Sequence, residues 1–229
     1  MPEKVQFKKI KLSETAENYL VQVIIEHLDK DETVTWLVAG GSVVSVAVKA
    51  SYKLASQNLS RLFVTLTDER YVPAKNPDSN WQQLLDAGWH LPGANLFPIL
   101  KNEDIENTTS QYDRILHKVL DGPGYKIGLF GIGPDGHIAA LFPHSPQLEE
   151  EKLYAVYLDN SPKPPSKRLT MTLSAIQKLD EAIIFAMGPG KKPAIQNLTK
   201  DLPIDLQPAQ VLKKLPKLTI FNNQIGEAL

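Results

Sequence analysis

No cysteine occurs among the 229 residues, which excludes disulfides, thiolate metal sites, iron–sulfur clusters and a thiol nucleophile. Neither sign of charge dominates: 25 Lys and Arg stand against 26 Asp and Glu, a net charge of −1. That balance gives no electrostatic reason to expect a nucleic-acid or anionic-membrane partner. Long apolar runs are missing as well, and stretches such as Ala182–Met187 fall far short of the ~18–20 residues a membrane span needs. The segment MPEKVQFKKIK at Met1–Lys11 lacks the apolar core of a signal peptide. There is no HExxH, no His pair at ligand spacing and no GxSxG elbow, so neither a metal site nor a nucleophilic serine is expected. Repeats and low-complexity tracts are absent too. These absences lead to the expectation of a cytoplasmic protein. At 42% hydrophobic and 22% charged, the chain is long enough to bury one large core, expected as a single domain over 1–229.

What is present is an alternation of two periods. Ala16, Leu20, Val23, Ile24 and Leu28 keep helical spacing, with Ser13 as N-cap. Further helices are predicted over 42–57, 78–87, 104–120, 191–198 and 208–213. Strands are predicted over 33–39, 61–67, 96–99, 126–131, 153–158, 168–173, 181–188 and 218–222. Near-continuous apolar strands separated by helices predict an α/β, Rossmann-like domain whose mostly parallel sheet carries helices on both faces. In such sheets ligands bind beyond the carboxyl ends of the strands. The polar and Gly-rich clusters all follow strands: 40–42, 68–70, 131–137 and 188–191. One long loop, DNSPKPPSK at Asp159–Lys167, is stiffened by three prolines.

Each cluster has a chemistry that suits it. Gly40-Gly41-Ser42 opens a helix after a strand, where free N–H groups and the helix dipole favour an anion such as phosphate. Asp68-Glu69-Arg70 sets three charges at a strand end, and an Arg there can grip phosphate or carboxylate with two donors. A plain solvated loop is the competing reading of the same triplet. The sharpest signal is Gly131-Ile132-Gly133-Pro134-Asp135-Gly136-His137, a constrained loop holding an acid and an imidazole two residues apart. The imidazole can take a proton from water while the carboxylate fixes its tautomer. Lys163 and Arg168 flank the Pro-rich loop, and Lys191 follows Gly188-Pro189-Gly190. Surface lysines are more often simply solvated.

Read in order, these clusters resemble the 6-phosphogluconolactonase family over essentially the whole chain. AGGS at Ala39–Ser42 resembles its first phosphate-side loop, Thr67 through Asn80 its DER…SN signature, and GIGPDGHIAALFP at Gly131–Pro143 its most diagnostic motif. SPKPPSKRLTMTL at Ser161–Leu173 and GPGK at Gly188–Lys191 are similar to the other two. The chain departs from the pattern at Val43-Val44, where the family usually has Thr-Pro, at Ile138-Ala139-Ala140 (Thr-Ala-Ser), and around Asn222-Asn223, where an acidic residue is usual. The resemblance implies hydrolysis of 6-phospho-D-glucono-1,5-lactone to 6-phosphogluconate in the oxidative pentose phosphate pathway, without metal or organic cofactor. His137 is then the expected base and Asp135 its orienting partner. Gly40, Gly41, Ser42, Asp68, Glu69, Arg70, Lys163, Arg168 and Lys191 are the expected substrate contacts. Two rivals share the fold. A glucosamine-6-phosphate deaminase has an acidic residue after its His loop that Leu141-Phe142-Pro143 lacks, and a tyrosine where this chain has Arg70. A non-catalytic sugar-phosphate sensor joined to a DNA-binding region would need a helix-turn-helix module, for which no room precedes Ser13.

Overall fold

The computed structural model describes residues 4–228; Met1–Glu3 and Leu229, which the expected domain includes, lie outside the described residues. The chain opens with β1 (Val5–Lys9), α1 (Glu14–Leu28), β2 (Val34–Val38), α2 (Val44–Leu54), β3 (Leu62–Leu66) and β4 (Asp68–Arg70). It continues through α3 (Asn80–Asp86), β5 (Asn95–Leu96), α4 (Ile105–Leu120), β6 (Tyr125–Phe130), β7 (Ala155–Leu158) and β8 (Arg168–Met171). It closes with α5 (Leu173–Ile176), β9 (Glu181–Ala186), α6 (Lys192–Asn197), β10 (Lys217–Asn222) and β11 (Glu227–Ala228).

Eight strands form one sheet in the order β11-β1-β10-β9-β6-β2-β3-β5, and every pairing in it is parallel. All five residues of β2 and all six of β9 are buried, as strands covered on both faces must be. From β2 the chain moves outward through β3 to β5, then returns to lay β6 on the other side of β2. The β2/β6 boundary is therefore a topological switch point, where an open crevice forms past the strand ends. Val38 pairs with both Leu66 and Leu129, so the ends of β3, β2 and β6 stand level and deliver their loops to one rim.

Several expected elements take a different form. β7 and β8 leave the parallel sheet and join β4 in a three-stranded antiparallel sheet, order β4-β8-β7. Only the Asp159–Lys167 loop connects β7 to β8, and a parallel pair needs a longer crossover. The Asp68–Arg70 triplet is thus a strand, not a solvated loop. β1 was not foreseen as a strand, because its five residues are only partly buried and end in two lysines. The predicted helix over 208–213 is a 3-10 helix, Pro208–Lys214. Ser13 does precede α1, but its hydroxyl donates to Glu17 Oε1 at 2.6 Å instead of accepting from a helix N–H. The strand expected over 96–99 shrinks to Asn95–Leu96. Among the described residues no helix is long and apolar enough to cross a membrane.

Candidate active site

Four neighbouring strands, β3, β2, β6 and β9, end at a cleft of about 280 Å³. That volume suits one small ligand, near the lower end of small-molecule sites. Its floor comes from Ala39 to Ser42 after β2 and from Gly131 and Ile132 after β6. Asp68 and Arg70 of β4 line it together with Arg168 of the paired strand β8, and Lys163 and Pro164 reach it from the Pro-rich loop. His137 and Lys191 complete it. Burial alone does not make these residues a site; the convergence of one imidazole and four cationic side chains in so small a volume does.

The His137 loop is built around its own backbone. Gly133 N–H donates to His137 O (2.9 Å) and Gly136 N–H to Gly133 O (3.0 Å), drawing Asp135 and His137 to one side. A Cβ on Gly133 would stand 2.0 Å from His137 Nδ1 and 2.2 Å from Asp135 Oδ1, so only glycine leaves room for the pair. His137 Nδ1 meets Asp135 Oδ1 at 2.5 Å. The carboxylate can only accept, so Nδ1 carries the hydrogen and Nε2 holds the free lone pair. Phe142 lies against the ring, centroids 4.7 Å apart. Burial lowers the imidazole pKa from its ordinary value and Lys163 adds to this, while Asp135 and Asp68 pull it back up. The Asp135 carboxyl is held below its usual range: burial opposes this, and the His137 charge and hydrogen bonds outweigh it. Asp135 is not part of the cleft lining; it stands behind His137.

Three of the four cations, Lys191, Arg70 and Arg168, are held by backbone oxygens. Lys191 Nζ donates to Ile132 O at 2.5 Å, and burial with the nearby Lys163 lowers its pKa. Lys163 Nζ lies 3.5 Å from His137 Nδ1. Arg70 Nη1 donates to Asp78 O at 2.9 Å. Arg168 spends its donors on Pro165 O (3.1 Å), Lys163 O (3.1 Å) and Pro164 O (3.2 Å), fastening the Pro-rich loop to β8. Its first effect is therefore on the placement of Lys163. Asn223, at one of the departures from the family pattern, accepts Gly188 N–H at 3.0 Å and so steadies the loop that carries Lys191. At another, Ala139 lines the cleft with φ 49°, and Ala140 N–H donates to Thr170 Oγ1 at 3.1 Å.

Glu69 is the correction. Although expected as a substrate contact, it is fully buried and does not line the cleft. Its Oε1 accepts from the N–H groups of Arg70 (2.7 Å) and Asn80 (2.6 Å), its Oε2 from Ser79 Oγ (2.9 Å) and Trp81 N–H (3.0 Å). Burial pushes its carboxyl up, to about 7, against the pull of those donors. The carboxylate ties β4 to the start of α3, which fixes Arg70 and Asn80 relative to each other. Asn80 itself is a lining residue that the sequence reading quoted in a motif but gave no role. The signal available was its place in the Ser79-Asn80 pair one helix-start beyond the charged triplet.

Comparisons with known proteins bear on the family and the fold. Residues 8–220 match the family model described as glucosamine-6-phosphate isomerases/6-phosphogluconolactonase. A 6-phosphogluconolactonase of Mycobacterium tuberculosis is 32% identical over 171 residues, covering 69% of this chain and 69% of its own. A solved 6-phosphogluconolactonase from Shewanella baltica superposes with a TM-score of 0.79 at 22% identity, covering 97% of this chain and 99% of its own. A monomeric glucosamine-6-phosphate deaminase superposes almost as well, TM-score 0.75 at 18% identity over 96% and 97%, so the fold by itself does not select a reaction. Family match and sequence identity together do: this chain belongs to the glucosamine-6-phosphate isomerase/6-phosphogluconolactonase family, among its 6-phosphogluconolactonases.

Proposed function

We propose that the chain hydrolyses 6-phospho-D-glucono-1,5-lactone to 6-phospho-D-gluconate, with His137 as the base that activates water. One observation carries the reading: His137, tautomer set by Asp135 at 2.5 Å, opens on a small cleft that also holds Arg70, Lys163 and Lys191. Nε2 takes a proton from water as its oxygen bonds to the lactone C1, and the carbonyl oxygen becomes an oxyanion. Lys163, beside the imidazole, supplies positive charge to that oxygen. The C1–O5 bond then breaks, and the imidazolium returns its proton to the departing ring oxygen. Asp135 stabilises the imidazolium meanwhile, without itself taking the proton. Arg70, Lys191 and the N–H groups of Gly40, Gly41 and Ser42 hold the phosphate. Asp68, an acceptor in the same cleft, suits the sugar hydroxyls. The relatives' names support a place in the pentose phosphate pathway, and a cytoplasmic location is part of the same reading. The reading involves no cofactor, nucleic acid or membrane.

The test is direct. Pure protein is mixed with freshly generated lactone, and acid release is timed against the spontaneous background. The wild type is expected to exceed that background, and His137→Ala to lose about 10²–10⁴-fold in kcat, the usual worth of a positioned base. A His137→Ala variant with more than about a third of wild-type kcat overturns the assignment of the base. Ammonia release from glucosamine 6-phosphate at a comparable rate would instead favour a deaminase.

A further inference from the structure

Two polar atoms of cleft-lining residues, Asn80 Oδ1 and Arg70 Nε, are buried and lack any hydrogen-bond partner among the described residues. Unpaired buried polar atoms are rare in native proteins, and a pair in one ligand cleft calls for a ligand group. The orientation of the Asn80 amide is settled by its other end. Nδ2 donates to Asp68 O at 2.9 Å and lies 3.5 Å from Asp68 Oδ2, so the unpaired atom is the acceptor. Arg70 Nε, the other unpaired atom, is a donor. The backbone N–H groups of both residues share one oxygen, Glu69 Oε1, at 2.7 and 2.6 Å, so the two backbones are anchored at one point below the cleft they line.

A phosphate dianion or carboxylate can satisfy Arg70 Nε but has no hydrogen for Asn80 Oδ1, and an ammonium group does the reverse. A hydroxyl does both at once. We infer that a ring hydroxyl of the phosphosugar lactone seats between Arg70 Nε and Asn80 Oδ1, which makes Asn80 a specificity-determining residue; this rests on the lactonase reading above. Arg70 then serves two groups, the phosphate through Nη2 and the hydroxyl through Nε. Asp68, whose carboxylate lines the same cleft, keeps a second anion away from this seat. Gly40 belongs to the same arrangement, because a Cβ there would stand 2.0 Å from Asn80 Oδ1. Both atoms are closed to bulk water in the free chain, so the inference requires the Gly40-Gly41 turn to shift when the hydroxyl enters.

The experiment compares kcat/KM for 6-phosphogluconolactone and its 2-deoxy, 3-deoxy and 4-deoxy counterparts in wild type, Asn80→Ala and Arg70→Lys. In the wild type one deoxy compound is expected to lose about 10- to 100-fold, the consequence of leaving buried partners unpaired. The same penalty is expected to fall below about threefold in Asn80→Ala, and to shrink in Arg70→Lys, which keeps the cation but removes Nε. Inhibition by inorganic phosphate is expected to be unchanged in Asn80→Ala within about twofold, since no phosphate contact is lost. Equal deoxy penalties in wild type and both variants overturn the inference alone, as does a wild type with no deoxy penalty at all. Loss of phosphate inhibition in Asn80→Ala also overturns it and gives the seat to the phosphate. A wild type without lactonase activity overturns the functional reading first and this inference with it. Arg70→Lys and the wild-type series decide the question even where Asn80→Ala does not fold.

Discussion

His137 is balanced between two opposed environments, and its pH behaviour follows from which one prevails. Burial, aided by the Lys163 charge, depresses its pKa below 6.5, and Asp135 restores only part of the loss. A base acts in its neutral form, so kcat/KM is expected to rise with pH through a value below 6.5 and to stay flat on that limb above it. Asp135→Asn removes the upward pull, so the limb is expected to move to lower pH while kcat falls. Initial rates from about pH 4.5 to 8.5, corrected for spontaneous hydrolysis, decide both points. Arg70 sets a second expectation at this scale. A charge-assisted hydrogen bond is worth about 1.5–3 kcal/mol. Two or more such contacts to the phosphate make unphosphorylated gluconolactone about 10²–10⁴-fold poorer in kcat/KM, treating them as additive. Arg70→Ala is expected to narrow that gap instead of harming both lactones equally. An unchanged preference would show that Arg70 lines the cleft without holding the phosphate.

Between elements, the telling contact is the one that Glu69 makes. β4 has only three residues and α3 only seven, and neither is stable without tertiary support. The four hydrogen bonds to one buried carboxylate join them. Glu69→Ala would leave three N–H groups and a hydroxyl unpaired in the interior, at about 1–3 kcal/mol each. A loss of about 3 kcal/mol or more in denaturant unfolding is expected, with substrate affinity weakened because Arg70 and Asn80 lose their common anchor. Glu69→Gln conserves shape but turns an amide NH2 toward donors, so it is also expected to destabilise. Wild-type stability in both variants would show that this carboxylate is not what holds α3 to β4.

At the scale of the whole molecule, stability is graded across the sheet. β2, β6 and β9 lie inside it, flanked on both sides by paired strands, and β2 and β9 are buried throughout. The Asp159–Lys167 loop lies outside both sheets and reaches the cleft through Lys163 and Pro164. Native-state amide exchange is expected to be slowest in those three strands, near the global unfolding limit, and much faster in the loop. Exchange in the loop as slow as in β2 would contradict this ordering. The arrangement suits catalysis: His137 follows one of the most protected strands, while Lys163 rides on a loop outside the sheets whose placement depends on Arg168.

How much of this was legible in the chain depends on the range of the forces involved. Period and composition identified the inner strands, because burial on both faces leaves an apolar run that needs no partner to be recognised. They identified the His137 loop too, since three glycines and a proline constrain a backbone locally, and Asp135 reaches His137 across two residues. They failed where the deciding contact is long-range. The sequence of β1 is half polar and becomes a strand only by pairing with β10, more than 200 residues later. Asp68, Glu69 and Arg70 look alike as three charges in a row. Only β8, α3 and the buried donors of Ser79, Asn80 and Trp81 separate them, turning Glu69 inward as a tie and leaving Asp68 and Arg70 in the cleft. Asn80 is the same case in reverse. An asparagine at a helix start reads as a turn residue, and its unpaired oxygen in the ligand cleft exists only because the tertiary structure fixes its NH2 on Asp68 and stacks Gly40 against it. Local backbone chemistry is written in neighbouring residues; the environment that decides whether a charge binds, ties or is merely solvated is assembled by folding.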